Sequence, residues 1–160
     1  MKIRTDFVTN SSSSCFTFSF LFELADGSDV HYWDSCAVVT VSPKQLGQAK
    51  DVEELIRLLE DGVLRSGPEG DIRIFKEYAR EEKIATFFRQ LREKVTSMDD
   101  IIWITLEGHD YHYYKHDRHY TYDRTNGLYE GHQFGEPGYE DPGGDLCLTD
   151  LDECTVVYYD

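Results

Sequence analysis

The sequence predicts an α+β fold, a mostly antiparallel sheet of five to six strands with two helices packed on one face. Two observations carry this reading. Segments with period-two alternation lie at both ends of the chain, and two segments with helical periodicity lie side by side between them. Strands and helices that are grouped, and do not alternate one by one, point to helices segregated to one side of the sheet. At 160 residues, with 40% hydrophobic and 14% aromatic content, the chain reads as a single domain, 1–160, able to bury a core.

Each element has its own signal. From Cys15 to Leu24, Phe16, Phe18, Phe20, Phe22 and Leu24 fall on one face of a strand, with Cys15, Thr17, Ser19 and Glu23 on the other. Ala25-Asp26-Gly27-Ser28 is a turn, and Val30 to Val41 reads as the returning strand of a hairpin. Ser42-Pro43 with Gln45 resembles a helix start. Asp51 with Glu54 is a stronger one, a capping box ahead of Leu55, Ile56, Leu58 and Leu59, and Gly62 ends that helix. After the loop 66–70, a longer helix is expected from about Asp71 to Thr96, with Ile74, Phe75, Tyr78, Ile84, Phe87, Phe88, Leu91 and Val95 as its apolar stripe.

Ser97 to Asp100 is a turn and Ile101 to Glu107 a buried strand. Asp110 to Tyr114 continues it or starts a second strand, and Tyr120 to Asp123 is the partner. Asn126-Gly127 reads as a type I′ turn into Leu128 to Gln133. Residues 134–154 form a loop-rich acidic segment, and Thr155 to Tyr159 is a last strand. At the other end, residues 1–14 are an arm. In it Ser11 to Ser14 read as an entry loop whose hydroxyls bond local backbone and set the register at Phe16.

Charge is unevenly placed along the chain. Of the formal net charge of -15, residues 99–160 hold -12, with 3 Lys and Arg against 15 Asp and Glu. Such a surface repels phosphate backbones and attracts basic grooves, which argues against direct nucleic-acid binding and for a basic protein partner. The candidate contact residues are Asp110, Asp117, Asp123, Glu130, Glu136, Glu140, Asp141, Asp145, Asp150, Asp152 and Glu153. The first residues lack an apolar stretch of about 7–15 residues, and no window approaches ~18 continuous apolar residues. The expectation is a soluble, cytoplasmic protein without membrane contact, and Cys15, Cys36, Cys147 and Cys154 are then expected to be reduced.

Ligand-type residues concentrate at His109, His112, His116 and His119, with Cys147 and Cys154 downstream. Zinc takes cysteine sulfur and histidine nitrogen in a tetrahedral shell, so two cysteines and two of these histidines suit a structural zinc site that ties down the C-terminal loops. The competing reading makes the histidines exposed polar residues on a tyrosine-rich strand pair and the cysteines small core residues. If residues 115–118 form a hairpin tip, His112 and His119 approach across strands. The enzymatic alternative is a metal-dependent hydrolase built on the His109–His119 cluster, with Asp110 or Asp117 as further ligands. Neither a Walker A nor a dinucleotide-binding glycine pattern occurs. Tyr111, Tyr113, Tyr114, Tyr120 and Tyr122 suggest base stacking, but their acidic surroundings favour cross-strand packing or a protein interface.

The opening MKIRTDFVTNSSSSCF resembles the N-terminal signature of small bacterial and phage proteins, in which Met-Lys-Ile-Arg leads to Phe-Val-Thr/Ser-Asn, a serine run and Phe. It covers residues 1–16 and departs at Cys15, where a further serine is usual. The resemblance implies origin in a phage or mobile element. By general character such a chain is similar to anti-CRISPR and other anti-defence inhibitors, some of which occupy nucleic-acid channels with acidic surfaces. The implied partner is a basic, nucleic-acid-binding protein such as a CRISPR effector nuclease, and the implied role is inhibition by binding.

Overall fold

A computed structural model describes residues 16–35, 37–65, 72–110, 118–134 and 155–159. At positions 16, 35, 37, 38, 65, 72, 109, 110, 118, 132–134 and 155–159 it gives the chain trace alone. The architecture is α+β. The strands are β1 (Phe16–Leu24), β2 (Asp29–Ser35), β3 (Ala37–Val39), β4 (Val63–Arg65), β5 (Ile72–Arg73), β6 (Ile101–Asp110), β7 (Arg118–Asp123), β8 (Leu128–Phe134) and β9 (Thr155–Tyr159). The helices are α1 (Pro43–Gly47), α2 (Val52–Gly62), α3 (Ile74–Glu77) and α4 (Glu82–Lys94), with a 3-10 turn at Met98–Asp100. The main sheet has the order β2-β1-β6-β7-β8-β9, and a small sheet has the order β3-β4-β5. Strands β2 to β8 of the main sheet pair antiparallel, and β9 joins β8 in parallel.

Alternation along β1 decides which face is buried. Phe18, Phe20 and Phe22 are each at most 1% exposed. Across the sheet they are continued by Val30 and Tyr32 of β2, Ile104 and Leu106 of β6, Tyr120 and Tyr122 of β7, and Tyr129 of β8. The helices cover this face with Leu46, Leu55, Leu59, Ile74, Phe75, Ile84, Phe87 and Leu91. Phe87 is central to the aromatic cluster, with ring centroids 5.1 Å from Tyr32, 5.4 Å from Phe88, and 6.1 Å from Phe22 and Phe75.

Both helix starts read from the sequence are present. Ser42 caps α1 in a reciprocal capping box with Gln45, its hydroxyl accepting from Gln45 N and Gln45 Oε1 accepting from Ser42 N. Asp51 caps α2 by accepting from Glu54 N at 2.8 Å, but Glu54 reaches back to Lys50 N, one residue before the cap.

Three expectations on local structure are corrected. The strand read over Val30 to Val41 divides, β2 staying in the main sheet and β3 pairing with β4. The long helix expected from Asp71 is broken. Ile72–Arg73 pair with β4, α3 makes one turn, and α4 starts afresh at Glu82. The break brings Phe75 and Phe87 together, whereas in one straight helix twelve residues separate two positions by about 18 Å. The third concerns the β7–β8 loop, where Asp123 faces Leu128, so residues 124–127 form a four-residue connection and not a two-residue type I′ turn. There the Asp123 carboxylate accepts from Thr125 N and Asn126 N, and Gly127 supplies the positive φ of 67°. The turn expected at Ser97 to Asp100 is present as a 3-10 turn at Met98–Asp100, capped by Ser97 Oγ accepting from Asp99 N. The Ser11–Ser14 loop lies outside the described residues.

The outer edge of β2 is closed by lysines from α4. Lys94 Nζ donates to the carbonyl of Asp29 at 3.1 Å, and Lys83 Nζ donates to that of Trp33 while lying 4.0 Å from the Trp33 ring centroid. Burial there holds the Lys83 ammonium below the usual lysine range, against the opposing pull of Asp34 and Glu81.

Candidate functional site

The residues that alternate with the core positions make up the second face of the main sheet. Three cross-strand rows define it. One runs Asp29, Glu23, Trp103, Asp123, Leu128. The next runs His31, Leu21, Thr105, Thr121, Glu130, and the third Trp33, Ser19, Glu107, His119, His132. The large exposed hydrophobic side chains among the described residues, Trp33, Trp103 and Leu128, all belong to these rows and are 52%, 43% and 52% exposed. Glu23, Asp29, Glu107, Asp123 and Glu130 supply carboxylates, and no Lys or Arg occurs among the described strand residues of this face. The arginines and lysines Arg57, Lys76, Arg89, Arg92 and Lys94 belong instead to the helices.

A polar chain occupies the middle of the face. Glu107 Oε1 lies 3.4 Å from Nδ1 of His119, whose Nε2 lies 3.0 Å from Thr121 Oγ1, and that oxygen lies 3.3 Å from Thr105 Oγ1. Thr105 is buried, while Glu107 and His119 are each about a third exposed. One row along, the Asp123 carboxyl is held below the usual carboxylate range, first by the side-chain amide of Asn126, with further donation from backbone N–H groups and Trp103. A shallow groove of about 510 Å³ lies at the β2–α4 edge, lined by His31, Trp33, Lys83, Thr86 and Gln90 among others.

Among the residues singled out from sequence, His119, Asp123 and Glu130 take positions on this face. His109 and Asp110 end β6, where His109 pairs with Thr17. His112, His116, Cys147, Cys154, Asp117, Glu136, Glu140, Asp141, Asp145, Asp150, Asp152 and Glu153 lie outside the described residues. His119 stands opposite Glu107 in the register of β6 and β7, and the expected approach between His112 and His119 involves a residue outside the described ones. Tyr120 and Tyr122 face the core beside Tyr129, which removes them from any stacking platform. Among the described side chains no three His, Cys, Asp or Glu converge as a metal shell.

Sequence reasoning missed Trp33, Trp103, Leu128 and Glu107. A signal was present, because Trp103 alternates with the buried Ile104, and Trp33 with Tyr32. Period two therefore puts each tryptophan on the side away from the core.

These features define the class, an α+β protein whose sheet is covered by helices on one face and carries an acidic, tryptophan-bearing surface on the other. No protein-family model, curated protein or solved structure matches the chain. No helix among the described residues is long and apolar enough to cross a membrane.

Proposed function

We propose that the protein is a non-enzymatic binding protein whose open sheet face docks on a basic protein surface, of the kind a CRISPR effector nuclease uses to hold nucleic acid. The observation that supports this reading is the combination on one face of Trp33, Trp103 and Leu128 with five carboxylates and no described basic strand residue. Exposed aromatics supply interface area that is worth desolvating, and the carboxylates select a positive partner and steer the encounter. The segment 134–154 is itself rich in carboxylates by sequence, which adds to the chain's negative charge.

The test is displacement of labelled target DNA from a panel of purified CRISPR effector–guide complexes, read by fluorescence anisotropy. At least one complex is expected to lose DNA to the protein, and less so as salt rises from about 50 to 200 mM. Trp103→Ala should weaken displacement at least about tenfold, and Asp123→Lys with Glu130→Lys should abolish it. Failure to displace DNA from every complex, or equal displacement by the charge-reversed variant, overturns the proposal.

A further inference from the structure

We propose that Trp103 seats an arginine side chain of the partner, the guanidinium lying on the indole between Glu23 and Asp123. The proposal rests on the reading of this face as a docking surface, and it names the group that the face selects. Register builds the seat. Trp103 on β6 stands directly opposite Glu23 of β1 on one side and Asp123 of β7 on the other. Directly opposed positions stand about 4.5–5.5 Å apart at Cβ, which brings both carboxylates within reach of one planar group on the ring.

The indole is oriented for this. Its N–H, the one donor of a tryptophan side chain, is given to the Asp123 carboxylate. What the half-exposed residue offers a partner is therefore its ring face. Asp123 also accepts from Asn126 and Thr125, which keeps it ionised beside the ring. Glu23 is placed differently: among the described residues its carboxylate has no hydrogen-bond partner, so both oxygens are open to a guanidinium fork. Glu23 also stands directly opposite Asp29 on β2, and like charges in that position are destabilising until a cation joins them.

The chain makes one contact of this kind internally. Lys83 Nζ lies 4.0 Å from the centroid of the Trp33 ring, with Asp34 and Glu81 attracting its charge. Trp103 likewise has two carboxylates beside it but, among the described residues, no Lys or Arg over its ring. Arginine fits this seat better than lysine. Its planar guanidinium stacks on an aromatic face and keeps its N–H groups in plane for carboxylates at the edge.

The experiment measures, by fluorescence anisotropy, binding of the full chain to labelled hexapeptides that alternate glycine with arginine or, at equal charge, with lysine. The arginine peptide is expected to bind at least about fivefold more tightly and to shift the Trp103 indole N–H in NMR spectra. Trp103→Leu keeps apolar area but removes the ring face, and should erase the preference. Glu23→Gln should weaken arginine binding at least about fivefold without lowering the urea midpoint, since it also removes the opposition to Asp29. Glu93→Gln, an equal charge change at an exposed position of α4, should leave affinity unchanged, and circular dichroism checks that each variant is folded. Equal affinity for the two peptides overturns the proposal, as does a preference that survives Trp103→Leu or a Glu23→Gln variant that binds like Glu93→Gln. Arginine preference without DNA displacement from any effector complex keeps this seat and sinks the nuclease reading; displacement without arginine preference does the reverse.

Discussion

The guanidinium of Arg124 donates from Nε to the main-chain carbonyl of Gly47 at 2.8 Å. The same side chain donates to the carbonyls of Met98 and Ile101, and its own N–H bonds Ile102 O at 2.9 Å. One residue in the β7–β8 loop thus ties the end of α1 and the 3-10 turn to β6. Arg124→Met should destabilise the protein by about 2–3 kcal/mol, since hydrogen bonds to a charged donor are each worth about 1.5–3 kcal/mol and several carbonyls lose theirs together. Urea unfolding monitored by circular dichroism measures it.

Gly47 is needed for contact. A Cβ at this position would meet Cδ1 and Cε1 of Tyr122, the latter at 2.6 Å, with Arg124 Cγ 3.3 Å away. Because Tyr122 is buried, it has little room to retreat. Gly47→Ala is expected to cost about 1–3 kcal/mol through overpacking. Combining it with Tyr122→Leu should be less damaging than the two single losses summed, which a double-mutant cycle reads directly.

Phe87→Ala removes the ring that joins sheet to helices. The expected loss is about 3–5 kcal/mol. Native stabilities of about 5–15 kcal/mol make that a large fraction, so the variant should unfold at a much lower denaturant midpoint with an unchanged slope.

Acid should lower the stability of the fold through its turns. Asp26 accepts from the Ser28 hydroxyl and N–H, Asp100 from the N–H groups of Ser97 and Thr96, and Asp123 from Asn126 and Thr125, and each carboxyl is held below its usual range. In each case the folded state favours the charged form. The stability gained is present above the unfolded value of about 3.9 and is lost as pH falls through the lower folded values. Replacing all three by Asn should flatten the acid limb of a stability-against-pH curve while leaving its neutral plateau little changed in slope.

Much of the fold was legible because period two is a local signal. Phe18, Phe20 and Phe22 alternate along β1, and the Ser42 and Asp51 caps sit where their side chains can reach the next N–H groups. The break between α3 and α4 was hidden, since Ile74, Phe75 and Tyr78 continue the same helical stripe. What decides it is a tertiary demand, that Phe75 and Phe87 share one aromatic cluster.

The site followed the same division. His119 stands out through its crowded neighbours, yet the carboxylate it meets, Glu107, lies twelve residues away and becomes adjacent only through strand register. Spacing along the chain cannot show this, because turn length decides which residues stand opposite. The exposed tryptophans are hidden for a different reason, that large apolar residues in strands are ordinarily assigned to the interior.

The two lysines at the β2 edge fix how this sheet meets other molecules. With the carbonyls of Asp29 and Trp33 occupied by Lys94 and Lys83, an approaching strand finds ammonium groups where it needs acceptors. Edge-on pairing with a further strand is disfavoured at that side.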